Sequence, residues 1–252
     1  MAGPIAVICA MEWELAHLQS QLQHAPDAAD LVLVISGMGM VSAAASTQDT
    51  ITRHAPRAVV NYGCAGAHRS ELLLGDLVIG EHVVAYDNRR ETPEGRLEYR
   101  GMFYRAQGEQ RRVERLACDA ALVSAARRVA DTIGDDHAPW PADLGWPASV
   151  AHRSPRVVYG TVASADRWNR SAVSIAALVE QHDSLCEDME AAAIGLVCAS
   201  HAVPFLTIKD ISNNELLRST TTGRSMLEEL GAEQVARRAA RFTFSLLREL
   251  GS

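Results

Sequence analysis

Short runs of β-branched and other apolar residues alternate with segments of helical spacing along most of this chain. Such runs predict buried strands at residues 4–10, 31–35, 58–61, 76–85, 156–163 and 204–208. Helical spacing predicts helices at residues 11–23, 41–53, 119–132, 169–181, 189–201 and 226–250. The alternation of strands and helices favours an α/β fold with a mostly parallel, helix-covered sheet.

One region interrupts this alternation. Residues 87–117 are polar and rich in arginine, and residues 92–96 predict a turn between two extended arms. Residues 133–155 are rich in proline and glycine and predict a long irregular crossover. Because 252 residues with 48% hydrophobic content suit one α/β domain, we expect a single domain over residues 1–252. Residues 87–155 would then be a divergent, insert-like region of that domain.

Composition and charge exclude several classes of protein. The net charge of −7 argues against nucleic acid as a partner, and no apolar run approaches the roughly 20 residues of a membrane span. The five cysteines are scattered without CxxC spacing, which indicates a reducing compartment. The N-terminus lacks the basic start of a signal peptide, so we expect a cytoplasmic protein. The histidines show no metal-ligand spacing, and no metal site is predicted.

Polar or glycine-rich clusters follow several predicted strands, where α/β sheets place their sites. These clusters lie at residues 11–14, 36–39, 63–66, 164–168, 187–190 and 209–214. Each has a simpler explanation when it is taken alone. A GxG sequence is more often a tight turn, and carboxylates at a helix start usually compensate the helix dipole. Trp168 could equally belong to the core, and no glycine cluster has the spacing of a Rossmann or P-loop motif.

Taken together, these clusters resemble a known family. The matching motifs, in chain order, are AMEWE at 10–14, SGMGMV at 36–41, NYGCAGA at 61–67, GDLV at 75–78, EDMEAAAI at 187–194 and VPFLTI at 203–208. This combination resembles the purine nucleoside phosphorylase/nucleosidase superfamily, and within it the 5′-methylthioadenosine/S-adenosylhomocysteine nucleosidases. The resemblance implies a single α/β domain with a central twisted mixed sheet flanked by helices. It also implies a homodimer, a small nucleoside substrate and no cofactor.

The resemblance also assigns roles to individual residues. Glu14 falls on the carboxylate that activates water, Glu190 on the glutamate that holds the ribose hydroxyls, and Asn213 on the residue beside N7 of the base. Cleavage of an N-glycosidic bond passes through a cationic sugar, so a base for water and a nearby carboxylate suit that chemistry. The remaining residues that the resemblance places at the substrate are Met11, Cys64, Ala65, Gly66, Trp168, Asn169, Asp188, Met189 and Lys209.

Asn213 departs from the family pattern, which has an aspartate that protonates N7 as adenine leaves. An asparagine cannot supply that proton, but its amide can bond to N7 and to a 6-oxo group. The leading hypothesis is hydrolysis of nucleosides of the methylthioadenosine/S-adenosylhomocysteine type. The alternatives are hydrolysis of a 6-oxopurine nucleoside, as in futalosine hydrolases, phosphorolysis, and binding without catalysis. The absence of lysine and arginine from residues 1–36 argues against phosphorolysis, and the presence of Glu14 and Glu190 argues against binding alone.

Overall fold

The computed structural model describes residues 3–23, 30–133, 155–217 and 235–251. Its strands are β1 (Ile5–Cys9), β2 (Leu31–Ile35), β3 (Ala58–Ala67), β4 (Leu77–Ala85), β5 (Arg89–Glu91), β6 (Leu97–Tyr99), β7 (Met102–Ala106), β8 (Glu109–Val113), β9 (Leu116–Ala117), β10 (Val157–Ser164), β11 (Ser184–Asp188) and β12 (Phe205–Asn213). Its α-helices are α1 (Glu12–Leu22), α2 (Met40–His54), α3 (Ala120–Ile133), α4 (Ala172–His182), α5 (Ala191–Ser200) and α6 (Arg237–Gly251). A 3₁₀ helix covers Glu215–Leu217.

The central sheet is mixed, with the strand order β11-β10-β4-β12-β3-β1-β2 and with β9 added to β4. Neighbours are parallel at β1–β2, β1–β3, β3–β12, β4–β10 and β10–β11. The pairs β12–β4, β11–β3 and β4–β9 are antiparallel. The α/β fold and the mixed sheet implied by the family resemblance are therefore confirmed. Five of the eight strand pairs are parallel, as expected of a mostly parallel sheet; the three antiparallel pairs could not be predicted, because alternation along the chain does not reveal strand direction.

Two strands continue through clusters that the sequence placed after them. The cluster at 63–66 was expected to be a glycine turn, but it forms the second half of β3 and pairs with β12. The cluster at 209–213 likewise belongs to β12, whose nine residues are all buried. Polar side chains therefore occupy buried strand positions here, a pattern that apolar periodicity does not predict.

Strand β11 is absent from the sequence-based assignment. Only Leu185 and Cys186 are apolar in it, and the remaining residues are polar. It pairs in parallel with β10 and in antiparallel fashion with the end of β3, where Cys186 faces Ala67. Because β11 pairs with both β10 and β3, five strands close into a ring around the polar ends of β3 and β12. In order around the ring, the strands are β3, β12, β4, β10 and β11.

The helices agree with the predicted set, with shifted ends. Helix α4 was expected to begin at 169 but begins at Ala172, after Ser171, whose hydroxyl oxygen accepts from the backbone N–H of Ser174 at 3.4 Å. Helix α5 is buried along most of its length, against the sheet. None of the helices in the described part of the chain is long and apolar enough to span a bilayer.

Part of the insert-like region is ordered strand structure. β5 and β6 form one hairpin around the turn predicted at 92–96, and β7 and β8 form a second hairpin. Residues 134–154, which contain most of the predicted crossover, lie outside the described residues. The same holds for residues 226–234 of the predicted final helix, whose described part is α6.

Candidate active site

A cavity of about 220 Å³ opens where the carboxyl ends of β1, β3, β11 and β12 meet. The predicted site residues that line it are Met11, Glu14, Cys64, Ala65, Gly66, Trp168, Asp188, Met189, Glu190, Lys209 and Asn213. They come from segments far apart in sequence. The fold therefore brings together the clusters that the sequence placed at strand ends.

Glu14 lies in the first turn of α1 with its side chain almost completely buried. Its Oε2 accepts hydrogen bonds from the backbone N–H groups of Ala10 at 2.9 Å and Met11 at 3.0 Å. Its Oε1 accepts a third from the N–H of Cys64 at 3.2 Å. A Cβ added at Gly63 would lie 2.8 Å from Oε1, so the glycine makes room for this carboxylate. Glu14 is thus held rigidly between the ends of two strands.

The surroundings of Glu14 adjust its acidity. Burial raises the pKa of Glu14, while the nearby Lys209 and the three backbone N–H groups oppose that rise. A carboxylate whose pKa is moved toward neutrality is better suited to accept a proton from water. Glu12, two residues earlier in the same helix, is exposed to solvent. The structure therefore distinguishes a cavity carboxylate from a surface carboxylate within one motif.

Glu190 is the residue before helix α5, and its side chain is buried. Its Oε1 accepts from the backbone N–H of Gly39 at 2.9 Å, and its Oε2 accepts from that of Met189 at 3.3 Å. Burial is the largest cause that raises the pKa of Glu190 to about 7, and the negative charge of the neighbouring Asp188 is the second. The positive charge of Lys209 opposes the rise. The cavity therefore contains, beside Glu14, a second buried carboxylate whose pKa is raised.

The glycine-rich segment at residues 36–39, before α2, has a backbone conformation that brings the N–H of Gly39 to Glu190. Gly39 has φ of 99°, which favours glycine, and a Cβ there would lie 2.8 Å from Oδ1 of Asp166. That same Oδ1 accepts from the N–H of Met40 at 2.7 Å, at the start of α2. The segment is thereby fixed with the N–H of Gly39 turned toward Glu190.

Lys209 and Asp188 form a buried ion pair at the cavity wall. The Lys209 Nζ lies 2.7 Å from Oδ2 of Asp188. Asp188 also accepts from the N–H of Ala191 at 2.9 Å and from the hydroxyl of Ser164. Burial lowers the pKa of Lys209, but Asp188 and Glu190 raise it by more, so its pKa lies above the ordinary value. The lysine is therefore charged, and the pair joins β12 to β11 beside both glutamates.

Trp168 and Asn213 border the cavity from two different segments. Trp168 is 56% exposed, so the alternative that it is a core residue is wrong. The amide of Asn213 accepts from the hydroxyl of Ser212 at 3.3 Å, and its Nδ2 lies 3.4 Å from Glu215 Oε1. A Cβ at Gly66 would lie 3.1 Å from that Nδ2, so the small residue at 66 lets the amide approach β3.

Asn169, expected at the substrate, is not among the described residues that line the cavity. It is buried, and its backbone N–H donates to Oε1 of Glu187 at 2.7 Å. Its side-chain Nδ2 donates to Oε2 of Glu187 at 2.6 Å and to the hydroxyl of Tyr86 at 2.8 Å. Asn169 therefore holds a carboxylate in place, and its assignment to substrate binding stays a prediction.

Other lining residues were missed by the sequence-based assignment. They are Ala10, Trp13, Met38, Tyr62, Gly63, Arg167, Glu187, Ser212 and Val235. Several are sequence neighbours of predicted residues, and Glu187 belongs to a cluster already recognised as acidic. Val235 gives no signal in sequence, because only folding brings it to the cavity. Among the described residues, no group of three or more His, Cys, Asp or Glu is placed to hold a metal ion, and all five cysteines are free.

Comparison with known proteins agrees with this fold and site. Residues 4–248 match the phosphorylase superfamily. A 5′-methylthioadenosine/S-adenosylhomocysteine nucleosidase from Mycobacterium bovis is 30% identical over 230 residues, which cover 84% of this chain and 86% of the relative.

Two solved structures are similar along almost their whole length. The 5′-methylthioadenosine/S-adenosylhomocysteine nucleosidase of Neisseria meningitidis in complex with methylthio-immucillin-A has a TM-score of 0.71 and 26% identity, covering 97% of this chain and 98% of that one. A futalosine hydrolase mutant of Helicobacter pylori has a TM-score of 0.74 at 19% identity with the same coverage, and this likeness concerns the fold alone. With its motifs, sheet and cavity, the chain belongs to the phosphorylase superfamily.

Proposed function

We propose that this protein is a nucleosidase that hydrolyses the N-glycosidic bond of purine nucleosides of the 5′-methylthioadenosine/S-adenosylhomocysteine type. The products would be the free base and the ribose derivative. The observation that carries this proposal is the placement of two buried carboxylates, Glu14 and Glu190, at one cavity. The relatives that bear this activity in their names support the same reaction.

The proposed mechanism assigns one step to each carboxylate. As the bond between the base and C1′ breaks, the sugar gains positive charge, and a water molecule adds its oxygen to C1′. Glu14 accepts the proton of that water, and the three N–H groups that hold Glu14 keep its Oε atoms in position. Glu190 binds the ribose hydroxyls and stabilises the cationic sugar. The base leaves with the electron pair of the broken C1′–N bond and takes up a proton from solvent, which balances the proton that Glu14 accepts from the attacking water.

Water is favoured over phosphate as the nucleophile by the charges in the cavity. Phosphate binding requires cationic donors that are free to contact its oxygens. Lys209 is already paired with Asp188 at 2.7 Å. Apart from Lys209, the one cation among the described lining residues is Arg167. The cavity therefore suits a neutral nucleophile better than a dianion.

Asn213 favours a second candidate, hydrolysis of a 6-oxopurine nucleoside. Its amide has no acidic proton to give to N7 of a departing adenine. The Nδ2 donor can instead bond to N7 or to a 6-oxo group. Glu14 and Glu190 would catalyse the same hydrolysis in this second candidate. Only the base of the accepted nucleoside would differ.

We also propose a single domain over residues 1–252 that acts as a homodimer in the cytoplasm. Strands β4 and β10 flank the insert-like region 87–155 and pair with each other, which supports one continuous domain. Five free cysteines suit a reducing compartment. Met38 and Val41, three residues apart in sequence, are exposed apolar side chains at 63% and 79%, which supports a subunit contact there. Sedimentation velocity of the purified protein would test the dimer.

The decisive experiment measures release of free base from methylthioadenosine, S-adenosylhomocysteine, inosine and futalosine, with and without phosphate. We expect base release from at least one 5′-substituted nucleoside, at a rate that phosphate does not change. A reaction that requires phosphate and yields a ribose 1-phosphate would establish phosphorolysis instead. Tight binding without any release would establish a non-catalytic nucleoside-binding protein.

A further inference from the structure

Tyr62 lines the cavity, yet the proposed mechanism has no use for its hydroxyl. The residue lies in β3, and its side chain is completely buried. The hydroxyl donates a hydrogen bond to the backbone carbonyl oxygen of Glu14 at 2.9 Å. Burial is the largest cause that raises the pKa of Tyr62, and the neighbouring Cys9 and Glu14 raise it further. The phenol therefore keeps its proton and acts as a donor to the main chain of Glu14.

Three consecutive residues of β3 contact Glu14. The hydroxyl of Tyr62 holds the backbone carbonyl, and the N–H of Cys64 donates to Oε1 at 3.2 Å. Gly63 lies between these two residues, and a Cβ there would be 2.8 Å from the same Oε1. One strand therefore fixes Glu14 at both ends, at its main chain and at its carboxylate.

These contacts begin where the pairing of β1 with β3 stops. The last paired residues are Ile8 and Asn61, after which the chain turns into α1. The two backbone donors to the carboxylate that precede Glu14 in sequence belong to this same turn and move with it. Among the described hydrogen bonds of Glu14, those from Tyr62 and Cys64 attach it to β3. The hydroxyl therefore extends the attachment of this segment to β3 past the end of the strand pairing.

The position of the carboxylate matters for the proposed reaction. A general base must meet the proton that it accepts at about 2.6–3.2 Å between heavy atoms. A displacement of about 1 Å can lower a rate by about 10²-fold. Without the hydroxyl of Tyr62, the first turn of α1 can shift by a fraction of an ångström relative to β3. The expected loss in rate is then about tenfold.

We propose that Tyr62 is a positioning residue for the hydrolysis, and that its hydroxyl acts through Glu14 by fixing the backbone from which the carboxylate extends. The inference rests on the proposed function, because it needs Glu14 as the base that accepts the water proton. The hydroxyl bonds to the protein main chain and not to a ligand. Its effect therefore falls on turnover and leaves nucleoside binding nearly unchanged.

The test begins with Tyr62→Phe, which removes one oxygen atom and keeps the ring. With methylthioadenosine as the substrate, we expect kcat to fall about tenfold and KM to stay within about twofold of the wild type. In a Glu14→Gln background the same change should alter kcat less than about twofold, because no carboxylate remains to be positioned. An unchanged kcat in the single variant, or full additivity of the two losses, would overturn the inference and leave the nucleosidase intact.

The matched control is Tyr99→Phe. The hydroxyl of Tyr99 also donates to a backbone carbonyl, that of Glu114, at 2.8 Å, but Tyr99 is not among the described residues that line the cavity. Its removal should leave kcat within about twofold of the wild type, since it deletes the same kind of hydrogen bond elsewhere. A tenfold loss in this control would show that the effect of Tyr62→Phe does not depend on Glu14.

Crystal structures of the wild type and of Tyr62→Phe provide a measurement that needs no turnover. We expect the distance from Oε1 of Glu14 to the N–H of Cys64 to lengthen beyond about 3.5 Å in the variant. If the wild type cleaves no nucleoside, the proposed function fails, and an undisplaced carboxylate would still overturn the inference.

Thermal unfolding checks that Tyr62→Phe folds, and a second substitution decides if it does not. Replacement of Tyr62 by 4-aminophenylalanine keeps the ring and a donor at the place of the hydroxyl. It should keep kcat within about threefold of the wild type, because the bond to the Glu14 carbonyl is retained. A tenfold loss with this donor in place would contradict the role of the hydrogen bond.

Discussion

The ammonium nitrogen of Lys209 lies 2.7 Å from Oδ2 of Asp188, and both side chains are almost completely buried. This pair joins two strands that are not hydrogen-bonded neighbours in the sheet, since β10 and β4 separate β11 from β12 along one path. It also places one positive charge among Glu14, Asp188 and Glu190. The ion pair therefore contributes to the stability of the sheet and also to the charge balance inside the cavity.

Lys209→Met should lower the free energy of unfolding by about 3–5 kcal/mol, because it leaves Asp188 charged and buried without its partner. Urea denaturation measures the loss. Adding Asp188→Asn should recover part of it, since the double variant has no unpaired charge at this place. A loss below about 1 kcal/mol in the single variant would show that the pair contributes little.

Glu14→Gln should lower kcat by about 10²-fold or more, because the amide cannot accept a proton from water. Nucleoside binding should change little, since the side chain keeps its size. Steady-state kinetics and calorimetry measure both quantities. Glu12→Gln is the matched control, because Glu12 is exposed in the same helical turn and should be nearly neutral. Turnover close to wild type in Glu14→Gln would remove the mechanism proposed above.

Trp168→Ala should weaken binding of free base by one to two orders of magnitude, since stacking of a base on an aromatic ring contributes about 1–3 kcal/mol. Because Trp168 is 56% exposed, its removal should change the midpoint of thermal unfolding only slightly. Titration of base into the folded variant provides the measurement. Normal base binding would show that the indole does not stack on the ligand.

Asp210 should make the protein less stable as the pH rises. Burial raises the pKa of Asp210 from 3.8 to about 7, although Arg238 opposes the rise. The folded state then binds more protons than the unfolded state between about pH 4 and pH 7, so the stability contributed by protonation is lost across that window. Thermal unfolding at pH 5 and pH 8 should show a smaller decrease for Asp210→Asn than for the wild type. Equal decreases would contradict this assignment.

Asn213→Asp tests which base the cavity accepts. If the substrate is a 6-oxopurine nucleoside, an ionised carboxylate would meet the acceptors N7 and O6, and activity should fall. If the substrate is a 6-aminopurine nucleoside, an aspartic acid could protonate N7, and turnover should rise. The ratio of activity on adenine and hypoxanthine forms of one nucleoside, in wild type and variant, gives the answer. The proposed hydrolysis of nucleosides of the methylthioadenosine type predicts the second outcome, a rise in turnover.

Much of the fold could be predicted from local patterns. The apolar run at Leu31–Ile35 and the helical spacing of 41–53 correspond to β2 and α2, because a buried strand or an amphipathic helix repeats its apolar residues at a fixed period. The motifs around Glu14 and Glu190 also indicated the family, which the match over 4–248 confirms. Their roles as base and ribose ligand remain predictions.

The tertiary structure decided what local patterns could not. Strand β11 is short and mostly polar, and it is stabilised by pairing with β10 and β3 rather than by its own periodicity. Trp168 and Asn169 are adjacent in sequence, yet the first borders the cavity and the side chain of the second is hydrogen-bonded to Glu187, because strand and loop geometry sends neighbouring side chains to different faces.

The sequence by itself thus determined the fold class, the family and most of the cavity's residues. Only the folded chain determined which carboxylate faces solvent, which is paired and which remains open to a ligand, since burial and partners depend on contacts between distant segments.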